Sequence, residues 1–113
     1  MMRIVKQIRS LLTDDLRKPK YKGNKISSSG HCYIASEAIY HLLGGKKSNI
    51  KPMFVYHENE PHWSLKVGSK IIDPTFDQFK IPIPYNQAKG KGFLNKKPSL
   101  RSRELIRRYK EIL

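Results

Sequence analysis

Residues 30–43 read GHCYIASEAIYHLL, and the fold turns on how they are read. Ala35, Ile39 and Leu42 form a stripe at helical spacing, widened by Ala38 and Leu43. The spacing predicts a helix from about Cys32 to Leu43, with Ser29 as N-cap and Gly44-Gly45 as its stop. A helix this rich in small and apolar side chains belongs inside a protein rather than on its surface. It also carries the chain's one cysteine, Cys32, in its first turn.

Downstream, strand signals replace the helical period: an apolar aromatic run and then an alternating one. Met53 to Tyr56 and His62 to Val67 read as strands, with 57–61 as a polar turn between them. In the second, Trp63, Leu65 and Val67 fall on one face and His62, Ser64 and Lys66 on the other. Gly68-Ser69 predicts a tight turn into a short strand over Lys70 to Asp73, closed by Pro74. Residues 53–73 are therefore expected to form an antiparallel meander packed on the cysteine-bearing helix.

The flanks are helical and basic. Ile4, Val5, Ile8, Leu11 and Leu12 recur at 3.6-residue spacing over about 2–12. Over about 99–113, Leu105, Ile106, Tyr109, Ile112 and Leu113 form an inward stripe. Between 74 and 98, four prolines and two glycines predict irregular chain, with one helical turn at 84–89. No boundary divides the 113 residues, a length suited to one domain.

Charge is distributed in blocks. The chain carries 23 Lys and Arg against 9 Asp and Glu, a formal +14. Residues 1–30 contribute +6, 31–79 contribute zero and 80–113 contribute +8. Two basic flanks around a neutral centre suit an anionic partner, a nucleic acid or an acidic protein, with Arg101, Arg103, Arg107, Arg108 and Lys110 as candidate contacts. Solvated surface charge is the plainer alternative. A single cysteine rules out an internal disulfide or a multi-thiolate zinc site, and points to a reducing, cytoplasmic setting. No apolar run is long enough to span a bilayer, and the amphipathic start lacks the apolar region of a secretory signal.

Three polar residues stand where chemistry could use them. Cys32 opens a helix, His62 begins a strand and Asp73 ends the next. Unpaired N–H groups at a helix start favour a thiolate, a histidine can protonate a leaving group, and a carboxylate can hold the imidazole's other nitrogen. A buried structural thiol, a surface-strand histidine and an Asp-Pro-Thr turn are the plain readings of the same residues taken singly. A metal site on His57, His62, Cys32 and Asp73 matches no familiar zinc spacing.

Gly30-His31-Cys32, His62-Trp63 and Asp73-Pro74-Thr75, in that order, resemble the core of the transglutaminase-like branch of the papain-like cysteine hydrolases. The likeness spans roughly residues 28–80 and suggests a small member such as occurs in bacteria and bacterial viruses. It implies an α+β fold with Cys32 as nucleophile, His62 as general acid and base, and Asp73 as orienting carboxylate. It needs no metal or organic cofactor. The expected activity is hydrolysis or acyl transfer at an amide, isopeptide, ester or thioester. His31, Trp63, Thr75 and Gln78 are expected to line the substrate site or support it, and Asn24 is among the polar residues that could supply an oxyanion donor. The competing expectation is a catalytically silent relative that works as a basic binding module.

Overall fold

A computed structural model describes residues 2–17, 31–58, 60–78, 81–93 and 97–113. The order is helix α1 (Met2–Ser10), helix α2 (Cys32–Leu42), strands β1 (Ile50–His57), β2 (Glu60–Val67), β3 (Lys70–Ile72) and β4 (Lys89–Gly90), and helix α3 (Leu100–Glu111). The fold is α+β: three helices and a four-stranded antiparallel sheet in the order β3-β2-β1-β4.

Helix α2 lies at the centre, against β2, β1, α1 and α3. Its position explains its composition: Ile34, Ala35, Ala38 and Ile39 are all buried, so nearly every side of the helix needs a small or apolar residue. They form one core with Ile4, Val5, Ile8 and Leu12 of the first segment, Ile50, Leu65 and Ile72 of the sheet, and Leu105 of α3. The helix stops as expected at Gly44 (φ 116°) and Gly45 (φ 60°), in the left-handed region that suits glycine. Its N-cap position is His31; Ser29 lies outside the described residues.

Both hairpins have two-residue turns. Val67 pairs with Lys70 across Gly68-Ser69, where Gly68 has φ 59°. His57 pairs with Glu60, with Glu58 at φ 52°. The first turn is thus tighter than the polar stretch 57–61, and Glu60 and Pro61 belong to β2. Strand β4 was not expected from its glycine-bearing sequence. It pairs Lys89 and Gly90 with Phe54 and Met53, and Lys91 N–H extends the contact by donating to Pro52 O (3.0 Å).

The C-terminal helix departs from its predicted inward stripe at the end. Leu105 is fully buried, but Ile112 and Leu113 are 49% and 79% exposed. The helix ends at Glu111, so these two no longer follow its face. A buried carboxylate holds its other end. Glu37 of α2 accepts through Oε1 from Ser99 N–H (3.0 Å), Ser99 Oγ (2.8 Å) and Ser102 Oγ (2.6 Å). Tyr33 Oη donates to its Oε2 (3.2 Å). Ser99 in turn caps α3 through Ser102 N–H. Glu37→Ala would remove the acceptor that these four buried or half-buried donors share. It is expected to destabilise the fold by about 2–4 kcal/mol in urea unfolding, and a loss below about 0.5 kcal/mol would contradict this role.

Candidate active site

The site arises where β3 ends early. Val67 and Leu65 pair with β3, but β3 stops at Ile72, opposite Leu65. Alternate carbonyls of an antiparallel strand point to the same neighbour, so those of Trp63 and Pro61 project from the edge that β3 leaves open. The start of α2 occupies that edge. Ser36 Oγ donates to Trp63 O (3.3 Å), and Cys32 Sγ lies 3.7 Å from Pro61 O. Four helical residues advance about 6 Å and two strand residues about 6.6 Å, so the two contacts match without distortion. Pro61, which has no N–H, stands where β3 is absent and no ladder bond is lost.

This edge-on arrangement resolves the alternation of β2. His62 and Ser64 were expected to lie apart from the apolar face, yet both are buried, as are Trp63 and Leu65. A helix seated on a strand edge flanks side chains from both faces. Trp63 turns into an aromatic cluster, stacked on Phe93 (5.4 Å between centroids) and edge-on to Tyr33 and Phe54 (5.1 Å each). His62 turns towards Asp73.

His62 is completely buried, and its Nε2–H donates to Asp73 Oδ2 (2.5 Å). With Nε2 committed to Asp73, a proton exchanged with Cys32, whose Sγ meets the carbonyl of the preceding residue, would pass through Nδ1. Burial works against the imidazolium. The hydrogen bond to Asp73 and its charge, with a further contribution from the Cys32 thiol, outweigh it and push His62 up to about 9. Cys32 itself is 8% exposed.

Asp73 is held by four donors. Oδ2 also accepts from Tyr85 Oη (2.6 Å), and Oδ1 accepts from Thr75 N–H (3.0 Å) and Thr75 Oγ1 (3.4 Å). Burial and the adjacent carboxylate raise the Tyr85 hydroxyl well above its ordinary value, so it remains a donor. The loop beyond Asp73 is pinned by α1. Arg9 grips Asp77 with two bonds (2.9 and 2.8 Å), donates to Pro74 O (2.6 Å) and lies over the Phe76 ring.

The remaining candidates separate. Thr75 is buried and buttresses the aspartate, one of its two expected roles. His31 is fully buried, with its Nε2 against Thr13 O (2.9 Å), so it ties α2 to the 13–16 segment rather than facing a substrate. Trp63 is 6% exposed and belongs to the packing described above. Gln78 closes the 3-10 turn at 76–78, and Asn24 lies outside the described residues. His57 turns away to Ile81 O (2.9 Å). Among the described residues, no three His, Cys, Asp or Glu side chains converge as metal ligands would.

Most arginines of α3 are engaged. Arg108 binds Glu104 (2.9 Å), Asp15 (2.8 Å) and Thr13 (2.7 Å). Arg107 binds Glu104 (2.7 Å) and Glu111, and Arg101 reaches Leu16 O (3.1 Å). Arg103 Nε donates to Pro98 O (2.9 Å), and Lys110 lies exposed near the helix end. Among the described residues, no helix is long and apolar enough to cross a membrane.

Two residues of this site escaped sequence reading. Ser36 had a signal, a polar residue four after Cys32 within an apolar helix. Tyr85 had none, since its contact crosses an irregular loop that obeys no period. No family model, no curated protein and no solved structure matches the chain.

The ion pair also makes a stability prediction. His62 is raised from 6.5 to about 9, so the folded state binds its proton more tightly than the unfolded chain. The resulting stabilisation is complete below about pH 6.5 and is lost as pH rises through about 9. Urea midpoints should fall over that window by the equivalent of up to about 3 kcal/mol, with the fall largely absent in His62→Ala. A parallel pH dependence in both proteins would contradict it.

Proposed function

We propose that the protein is a thiol-dependent hydrolase or acyl transferase using Cys32, His62 and Asp73. The observation that carries this reading is a buried imidazole whose Nε2 donates to a carboxylate, with a helix-start thiol whose Sγ lies 3.7 Å from the carbonyl of the residue before it and helps raise its titration. A histidine kept only for packing has no need of a carboxylate already held by three other donors.

In the proposed reaction the Cys32 thiol gives its proton to His62, and Sγ attacks the carbonyl carbon of an amide, isopeptide, ester or thioester, so that an S–C bond forms as the carbonyl π bond opens. The carbonyl oxygen takes negative charge, for which N–H groups at the start of α2 are the nearest class of donor. As the intermediate collapses, the bond to the leaving group breaks and His62 gives that group its proton. Water, or an acceptor amine, then loses a proton to His62 and attacks the thioester, and the thiol is released. Asp73 keeps Nε2 protonated and the ring oriented throughout. The order of the three residues along the chain, and the motifs around them, favour the transglutaminase-like branch of the papain-like hydrolases. The basic flanks would favour an acidic or nucleic-acid-bearing substrate, with Arg103 and Lys110 less engaged than Arg107 and Arg108.

Alkylation of Cys32 by iodoacetamide tests the pair without knowledge of the substrate. At about pH 6, where a free thiol is almost wholly protonated, the parent should react about tenfold faster than His62→Ala. Equal rates, or a thiol inert until the protein is denatured, would remove the nucleophile.

A further inference from the structure

Tyr85 stands outside every motif noted in the sequence, yet it shares an oxygen with the histidine. Its hydroxyl donates to Asp73 Oδ2 at 2.6 Å, and His62 Nε2–H donates to the same oxygen at 2.5 Å. The other oxygen, Oδ1, is occupied by Thr75 N–H and Oγ1. Tyr85 is brought there by a strap over 81–93 that is fastened along its length. Ile81 O meets His57, Ile83 is buried, β4 pairs with β1, and Phe93 stacks on Trp63. The hydroxyl is therefore held by the fold, not by a loop free to turn away.

Two donors on one carboxylate oxygen compete for its electron density. A strong hydrogen bond from the phenol stabilises the carboxylate charge and leaves less of it for the imidazolium. We propose that Tyr85 is a positioning residue that acts on His62 through Asp73: it fixes the carboxylate's rotation and tempers its hold on the imidazole proton, easing release of that proton to a leaving group. The assignment rests on the reading of Cys32, His62 and Asp73 as a working triad. Among the described residues, the charged or titratable groups on this network are Asp73 after β3, Cys32 of α2, Tyr85 of the strap, and Arg9 of α1, which lies within Coulombic reach of Asp73 while bound to Asp77.

The test follows the His62 ring by NMR titration in the full chain. Tyr85→Phe keeps the ring and removes the donor. Its His62 midpoint should move up by about half a unit, the scale of one lost hydrogen bond to a charged group shared between two partners. Asp73→Asn should move the midpoint down, and Tyr85→Phe added to Asp73→Asn should no longer raise it. A folded Tyr85→Phe whose midpoint is unchanged or lowered overturns the proposal. So does an equal upward shift in the Asp73→Asn background, because the effect would then not run through Asp73. Should Tyr85→Phe fail to fold, a ring-fluorinated tyrosine placed at 85 strengthens the donor and must lower the midpoint; no movement would again overturn it. These readouts need no reactive thiol. Loss of the His62-dependent alkylation would remove the triad while leaving the titration interpretable.

Discussion

The edge-on seating of α2 against β2 is the contact from which the rest of the site follows. A strand edge is a row of unpaired backbone groups, and β3 covers only part of it. The helix closes the remainder with two side chains spaced to match alternate carbonyls. That one fit covers an open edge, brings Cys32 beside His62, and buries side chains from both faces of the sheet.

Around this contact the structure concentrates buried polar groups in two places and satisfies both. At one end of α2, Asp73 takes four hydrogen bonds, one of them from His62. One turn further along, Glu37 takes four donors from α2 and the start of α3. The second carboxylate has no basic partner in these bonds. Its donors are hydroxyls and a backbone N–H, and it serves to dock a helix. The first is coupled to a titrating ring. Two carboxylates of similar burial thus differ in role because of the groups that donate to them.

Among the described residues, several arginines of the basic flanks are engaged within the protein. Arg9 holds the loop beyond Asp73, and Arg101 and Arg108 hold α3 to the 11–16 segment. Such partly exposed pairs contribute little stability individually, but they use guanidinium forks that could otherwise meet an anion. The surplus of cations on the chain is therefore not the same as the surplus presented to a partner.

Much of the architecture was legible in the residues themselves. Period 3.6 located the three described helices, an apolar aromatic run marked β1, period 2 located β2, and Gly44-Gly45 and Gly68-Ser69 marked the turns, because these signals depend only on near neighbours along the chain. The order of Cys32, His62 and Asp73 was equally visible. What the residues could not settle was how β2 presents itself to α2, since alternation separates His62 from Trp63 without saying that a helix would meet the strand at its edge. Nor could they reveal Tyr85 on Asp73, Arg9 on Asp77, or Glu37 under Ser99. Each of these joins segments far apart in sequence, and a contact of that kind is determined only when the helices, the sheet and the strap pack together.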